Sequence, residues 1–192
     1  MNKLTFRNGD KIDAIGLGTW KSEPGEVYDA VRAAIKAGYR HVDCAWIYQN
    51  EQEIGNAFKD AFADGDVERA ELFITSKLWN SFHAAEDVEK GIKESLESLQ
   101  LEYLDLYLMH WPIAHKPGVA FSEDASGMAS LEEYPLIETW KAMEDLIKKG
   151  LAKHIGVSNF NIPKLKHLIE KGNIVPEMNQ VELHPLLQQE DL

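Results

Sequence analysis

The sequence predicts an α/β protein with a parallel sheet, in the form of a (β/α)8 TIM barrel preceded by a β-hairpin. Three observations predict it. Short apolar segments alternate with segments whose apolar residues recur at helical spacing. Where the pattern is clear, the short segments are apolar without alternation, as strands covered on both faces are. Polar residues stand where these segments end, as they do at the mouth of a barrel.

The elements follow in order. Leu4–Arg7 and Lys11–Ala14 flank Asn8-Gly9-Asp10, and Asn-Gly tolerates positive φ, so this pair reads as the hairpin. Ile15–Thr19 is the first barrel strand. Val27, Ala30, Val31, Ala34 and Ile35 mark a helix stopped at Gly38, and His41–Asp43 is the next strand. Ile54, Ala57, Phe58, Ala61 and Phe62 mark a second helix, stopped at Gly65, before the strand Leu72–Ser76. Val88, Ile92, Leu96 and Leu99 form the face of a third, and Leu104–Met109 is a strand. A long loop runs from about Trp111 to Pro135. Trp140, Met143 and Ile147 mark a helix ending at Gly150, followed by the strand His154–Val157. Leu165, Leu168 and Ile169 mark the last helix, ending at Gly172, and Glu177–Val181 is the last strand. Six strands and five connecting helices thus follow the hairpin, with no repeat and no linker that divides the chain.

A doubly wound sheet is the competing architecture. It needs a glycine-rich phosphate turn after its first strand. Gly16-Leu17-Gly18 supplies G-x-G, but Lys21 stands where the third glycine belongs. A barrel needs no such turn.

Composition narrows the function. The chain has 192 residues, 44% hydrophobic and 27% charged, which is ordinary globular usage and excludes a disordered chain. Twenty Lys and Arg against 32 Asp and Glu leave a net charge of −12, which disfavours nucleic acid and anionic membrane surfaces as partners. The single cysteine, Cys44, allows no intrachain disulfide. It follows Asp43 directly, so on a continuing strand it faces the other way and packs. His41, His83, His115, His154, His167 and His184 share no metal-ligand spacing, and no metal is expected. Met1 to Asp10 has no apolar core of signal length, and no stretch approaches the roughly 18 apolar residues of a membrane span. A cytoplasmic location is the expectation.

The strand ends carry the candidate chemistry. Asp43, Lys77 and His110 follow or close three successive apolar segments, Ser158 and Asn159 follow a fourth, and Asn179 and Gln180 lie in the last. Taken singly, each has an ordinary alternative: a helix cap, a solvated lysine, a core histidine. As a set they converge on one opening, which independent surface residues need not do.

At this point the sequence resembles the aldo-keto reductase family. The resemblance is carried by Gly16-Leu17-Gly18-Thr19-Trp20-Lys21, by Gly38-Tyr39-Arg40-His41-Val42-Asp43-Cys44-Ala45 through Tyr48-Gln49-Asn50-Glu51, and by Ile74-Thr75-Ser76-Lys77-Leu78-Trp79. It continues through Leu104-Asp105-Leu106-Tyr107-Leu108-Met109-His110-Trp111-Pro112, Ile155-Gly156-Val157-Ser158-Asn159-Phe160 and Asn179-Gln180-Val181-Glu182-Leu183-His184-Pro185. The loop with Lys116-Pro117-Gly118 before Phe121 looks like the aldose/aldehyde reductase branch.

The resemblance implies an NADPH-dependent oxidoreductase reducing aldehydes or ketones, with Asp43, Tyr48, Lys77 and His110 as its catalytic tetrad. NADH is not excluded. Tyr48 would protonate the carbonyl oxygen, and Lys77 is expected to lower the phenol pKa from its ordinary value near about 10. Asp43 would hold Lys77, and His110 would orient the carbonyl. Thr19, Trp20, Asp43, Ser158, Asn159 and Gln180 would contact the cofactor. Trp20, Tyr48, Trp79, His110, Trp111 and Phe121 would wall a pocket for a small carbonyl substrate, the aromatics having core packing as their alternative. A monomer is implied for the complete form. The rival reading is a non-catalytic nucleotide-binding or structural protein on the same scaffold.

A full barrel runs to roughly 250 residues. Residues 1–192 are therefore expected to be a single barrel domain truncated at its C-terminus, covering about the first six strands; closure of the sheet by a partner chain is the less favoured alternative. In the family, the last two strand–helix units carry the aromatic that stacks on the nicotinamide and the basic residues that grip the 2′-phosphate. The chain alone is expected to be a poor enzyme.

Overall fold

The computed structural model describes residues 2–122 and 124–192. Strands β1 (Lys3–Thr5) and β2 (Lys11–Asp13) pair antiparallel, with Leu4 opposite Ile12. Gly9 takes φ +95°, and Asn8 Oδ1 accepts the Asp10 N–H at 3.0 Å, so the Asn-Gly turn forms as expected. Phe6 stacks on His154 at 4.5 Å, which seats the hairpin over the end where the strands begin.

The chain then alternates: β3 (Leu17–Gly18), α1 (Glu26–Lys36), β4 (His41–Asp43), α2 (Glu51–Ala63), β5 (Phe73–Leu78), α3 (Val88–Leu99) and β6 (Leu104–Met109). A short hairpin, β7 (Ala114–His115) with β8 (Met128–Ala129), interrupts the alternation. It lies inside the segment read as one long loop, and two-residue strands leave no periodicity to read. After it come α4 (Leu136–Lys148), β9 (Ala152–Ser158), α5 (Ile162–Lys171) and β10 (Asn179–Gln180).

The six strands form one parallel sheet in the order β10-β9-β6-β5-β4-β3. The order follows the chain without reversal. A doubly wound sheet reverses at a switch point, and this one does not. The sheet is also rolled. In a flat sheet β4 and β10 would stand about 19 Å apart, four spacings of roughly 4.8 Å. Yet Gln180 Nε2 of β10 donates to Asp43 Oδ1 of β4 at 3.0 Å. Only a sheet curling toward a barrel brings these ends together.

The core lies between the sheet and its helices. All six residues of β6 are buried. α1 buries Val27, Val31, Ala34 and Ile35, α2 buries Ile54, Ala57, Phe58 and Ala61, and α3 buries Val88, Ile92, Leu96 and Leu99. Gly38, at φ +92°, ends α1 where a side chain would be strained. α4 turns Leu146 rather than Ile147 fully inward, beside Trp140 and Met143. In α5 the predicted stripe thins to Leu168, and Ile169 is exposed.

α2 and α3 cross at Gly55. A Cβ there would lie 2.3 Å from the Ser98 carbonyl oxygen and 2.9 Å from Leu99 Cα. The obstacle is backbone and has no rotamer to yield. Gly55→Ala should therefore lower the unfolding free energy by about 1–3 kcal/mol, despite alanine's better helix propensity. Urea denaturation of the variant checks this; unchanged stability would show that the two helices separate freely.

Candidate active site

The strand ends place the predicted residues on one rim. Thr19 follows β3, Asp43 closes β4, Lys77 is the penultimate residue of β5, and His110 follows β6. Ser158 closes β9, Asn159 follows it, and Gln180 closes β10. β5 runs two residues beyond the predicted Ser76, so Lys77 is held within the sheet.

These ends surround a cavity of about 810 Å³, lined by Trp20, Tyr48, Trp79, His110, Trp111, Phe121, Ser158, Asn159 and Gln180. Lys21, Ile47, Val181 and Glu182, which the sequence reading left out, also face it. Three of the four loop aromatics are not core residues: Trp20 is 66% exposed, Trp111 40% and Phe121 69%. Trp79 is buried and donates its indole N–H to the Ala120 carbonyl at 2.5 Å.

Behind Tyr48, which lines the cavity, Lys77 is 1% exposed and all three of its donors are used. Nζ donates to Asp43 Oδ2 at 2.9 Å, to the Cys44 carbonyl at 2.8 Å and to Tyr48 Oη at 3.2 Å. Burial pulls the ammonium pKa down, but Asp43 and Tyr48 outweigh it, and the net shift is upward. Lys77 is a charged lysine at neutral pH.

The Tyr48 phenol shifts the other way from expectation. Burial raises its pKa, and Lys77 lowers it by less, so the net direction is up. Removing the phenolate from water costs more than one neighbouring ammonium returns, because Asp43 already takes much of that charge. Tyr48 is thus a protonated phenol at neutral pH, the state a proton donor needs.

His110 stands edge-on to Tyr48, ring centroids 5.8 Å apart, and edge-on to Trp79 at 5.2 Å. Burial, and then the charge of Lys77, push its pKa down to about 3. It is a neutral imidazole, able to donate one N–H without carrying charge.

The remaining predicted contacts are tied to one another. Thr19 is buried and gives its hydroxyl to the Asp43 carbonyl at 2.9 Å. Asn159, at φ +62°, donates Nδ2 to the His110 carbonyl at 3.0 Å and to Ser158 Oγ at 3.1 Å. Ser158 donates to the Gln180 carbonyl at 2.8 Å. Asn179, by contrast, is bound to the Phe160 backbone. Cys44 is buried, and burial raises its thiol pKa. Among the described residues, no three His, Cys, Asp or Glu side chains gather as metal ligands, and no helix is long and apolar enough to cross a membrane.

His110 has a counterpart in His83, which is buried with both ring nitrogens unpartnered and is pushed down to about 3 by burial and then by His115. Both folded pKa values lie below the unfolded value near about 6.5. As pH falls, the unfolded chain takes up these protons first, so stability is full above that value and is lost toward pH 3. Between pH 7 and pH 5 the two histidines should remove about 4 kcal/mol. Glu51, whose pKa burial raises, trims the loss. Urea denaturation at both pH values checks this; equal stability at pH 7 and 5 would mean that the rings are protonated without unfolding.

The fold and this rim define an α/β-barrel protein with a polar site at the C-terminal ends of its strands, under an aromatic wall. The aldo/keto reductase family model matches residues 14–192, and the chain belongs to that family. It is 49% identical over 193 aligned positions to mouse aldo-keto reductase family 1 member A1, covering all of this chain and 59% of the relative. With the human protein of the same name, identity is 50% over 98% of this chain and 59% of the relative. An aldo/keto reductase of Synechocystis is 48% identical, again over 59% of its length. The aldose reductase structure from Schistosoma japonicum superposes with a TM-score of 0.94 at 45% identity, covering all of this chain and 64% of that one. The chain thus spans about three fifths of the length of the curated relatives it matches.

Proposed function

We propose that the protein reduces aldehydes or ketones to alcohols, with NADPH as the reductant. The observation that carries this reading is the Lys77 ammonium, held between Asp43 and the hydroxyl of Tyr48, which lines a cavity that His110 also faces. The relatives' names, an aldose reductase and several aldo-keto reductases, agree with it. Preference for NADPH over NADH rests on the family alone.

The residues present suit a nicotinamide. Ser158, Asn159 and Gln180 bring a hydroxyl and two amides to the cavity wall, the donor and acceptor types that a carboxamide recognises. Asp43 stands behind them, held by Gln180. A bound reduced nicotinamide supplies hydride to the carbonyl carbon.

The protein's own groups act on the oxygen. Tyr48 gives its phenolic proton to the carbonyl oxygen as negative charge develops there. The phenolate left behind lies 3.2 Å from the Lys77 ammonium, whose charge stabilises it. Asp43 keeps that ammonium in place, since an unpaired lysine this deeply buried would shed its charge. His110 donates a hydrogen bond that orients the carbonyl. Trp20, Trp79, Trp111 and Phe121 offer apolar surface to the rest of the molecule, which suits substrates with aromatic or aliphatic tails. A monomer in the cytoplasm is the setting we propose.

The test is oxidation of NADPH by a panel of aromatic and aliphatic aldehydes. It is run on the completed barrel, the chain extended by the two strand–helix units that the family resemblance implies. The reading expects turnover with small aromatic aldehydes. Nucleotide binding, seen as fluorescence quenching, with no turnover across the panel would point instead to a binding protein.

A further inference from the structure

Glu51 opens α2 three residues after Tyr48, and only 4% of its surface is exposed. A carboxylate in a first helical turn is ordinarily exposed and favoured there by the helix dipole. This one is turned beneath the helix. Its Oε1 accepts the hydroxyl of Ser76 at 2.5 Å, and Ser76 is fully buried. The Ser95 hydroxyl of α3 stands beside the same carboxyl. The Tyr107 hydroxyl of β6, buried and unpartnered, lies within reach of its charge.

Burying a carboxylate is unfavourable, and a well-packed apolar pair would fill such a place at no loss of stability. The position of the bond gives it a purpose. Ser76 directly precedes Lys77 on β5, and neighbours on a strand face opposite sides. Lys77 therefore reaches toward Asp43 and Tyr48, behind the cavity wall, while Ser76 faces the helices. The Tyr48 hydroxyl and the Lys77 ammonium come from two different elements and meet at 3.2 Å. On the far side of the sheet, the same two stretches of chain are tied by Glu51 and Ser76. Asn50, between Tyr48 and Glu51, donates its amide to the Thr19 carbonyl at 2.8 Å and fixes the turn to β3.

We infer that Glu51 is a positioning residue: its bond to Ser76 sets the register of the Tyr48 turn against β5 and so holds the Tyr48 hydroxyl against Lys77. The effect on rate rests on the proposed reductase function; the effect on geometry does not. The partner atom is what matters, so an amide in place of the carboxylate suffices and a hydrocarbon does not.

Two measurements test this. In the chain itself, labelled with ¹³Cζ-tyrosine and assigned with Tyr48→Phe, Glu51→Leu should shift the Tyr48 resonance, whereas Glu51→Gln should leave it in place. In the completed barrel, Glu51→Leu should lower kcat by about 10–100-fold, the range expected when a reacting group is displaced by up to an ångström. KM for the aldehyde and Kd for NADPH should stay unchanged, Glu51→Gln should restore the rate, and Glu51→Leu should add no loss to Tyr48→Phe. Should Glu51→Leu not fold, Ser76→Ala deletes the same bond from the other side and carries the same expectations. An unmoved Tyr48 resonance, equal losses in the Gln and Leu variants, or a further loss on the Tyr48→Phe background would overturn the inference. No turnover in the unmutated completed barrel would reject the reductase reading, and the tyrosine resonance would still decide the role of Glu51.

Discussion

Tyr48→Phe should lower kcat for aldehyde reduction by about 10²–10⁴-fold, the usual worth of a positioned general acid. The substitution removes one oxygen and leaves the ring, so its 5.8 Å packing against His110 persists. The NADPH Kd should not change, because in the proposed reaction the phenol oxygen meets the substrate carbonyl and not the cofactor. One Lys77 donor is left without its partner, which costs about 1–3 kcal/mol of stability and does not unfold the protein. Steady-state kinetics with a small aromatic aldehyde, beside a fluorescence titration of NADPH, separate the two effects. A Phe variant that keeps a tenth or more of the rate would remove Tyr48 from the role of proton donor.

Lys77→Met should be as damaging to rate, again about 10²–10⁴-fold, and worse for stability. The side chain is of similar length, and its site is closed, so packing is largely kept. What is lost is the charge. The developing Tyr48 phenolate then has no cation within hydrogen-bond reach, since Lys77 is the only one that contacts it among the described residues. Asp43 keeps Gln180 at 3.0 Å but loses its ion pair. Breaking a buried pair by deleting one partner costs about 3–5 kcal/mol, and the partial exposure of Asp43 reduces this. The variant should therefore melt earlier in a thermal scan and reduce aldehydes at a rate close to that of Tyr48→Phe. The double variant should be little worse than either alone, because both remove one device. Additive losses would mean that Lys77 acts by some route other than Tyr48.

The strand ends were legible because they are chemical discontinuities. The run Leu104–Met109 is apolar throughout, so His110 stands out at its end, and the structure places it on the cavity wall. The same contrast exposed Asp43 and Ser158. It misplaced the end of β5, because Thr75 and Ser76 look like a strand terminus although both are buried within it. The β7–β8 hairpin was invisible for want of length.

Electrostatics were legible only in part. The Lys77–Asp43 pair was implied by the family resemblance, and the two groups meet at 2.9 Å. The direction of the Tyr48 shift did not, because it depends on how far the turn after β4 buries the ring, a tertiary quantity. Buried acids were missed for the same reason. Nothing in the sequence marks Glu51 at its helix start or Glu144 within α4 as buried. The structure has Glu51 on Ser76 and Glu144 accepting from Asn173 and the Ile174 N–H, where it secures the turn into β10. A single sequence shows that such residues are acidic. It does not show that hydroxyls and amides will meet them.

The most direct test of the account is where the hydride and the proton go. The completed barrel is given an aromatic aldehyde and NADPH carrying deuterium at the transferable C4 position, in ordinary water. Deuterium is expected on the carbinol carbon of the alcohol, with single-turnover formation of that product lost in Tyr48→Phe. Alcohol formed without deuterium on that carbon, or formed equally fast without the Tyr48 hydroxyl, would contradict it.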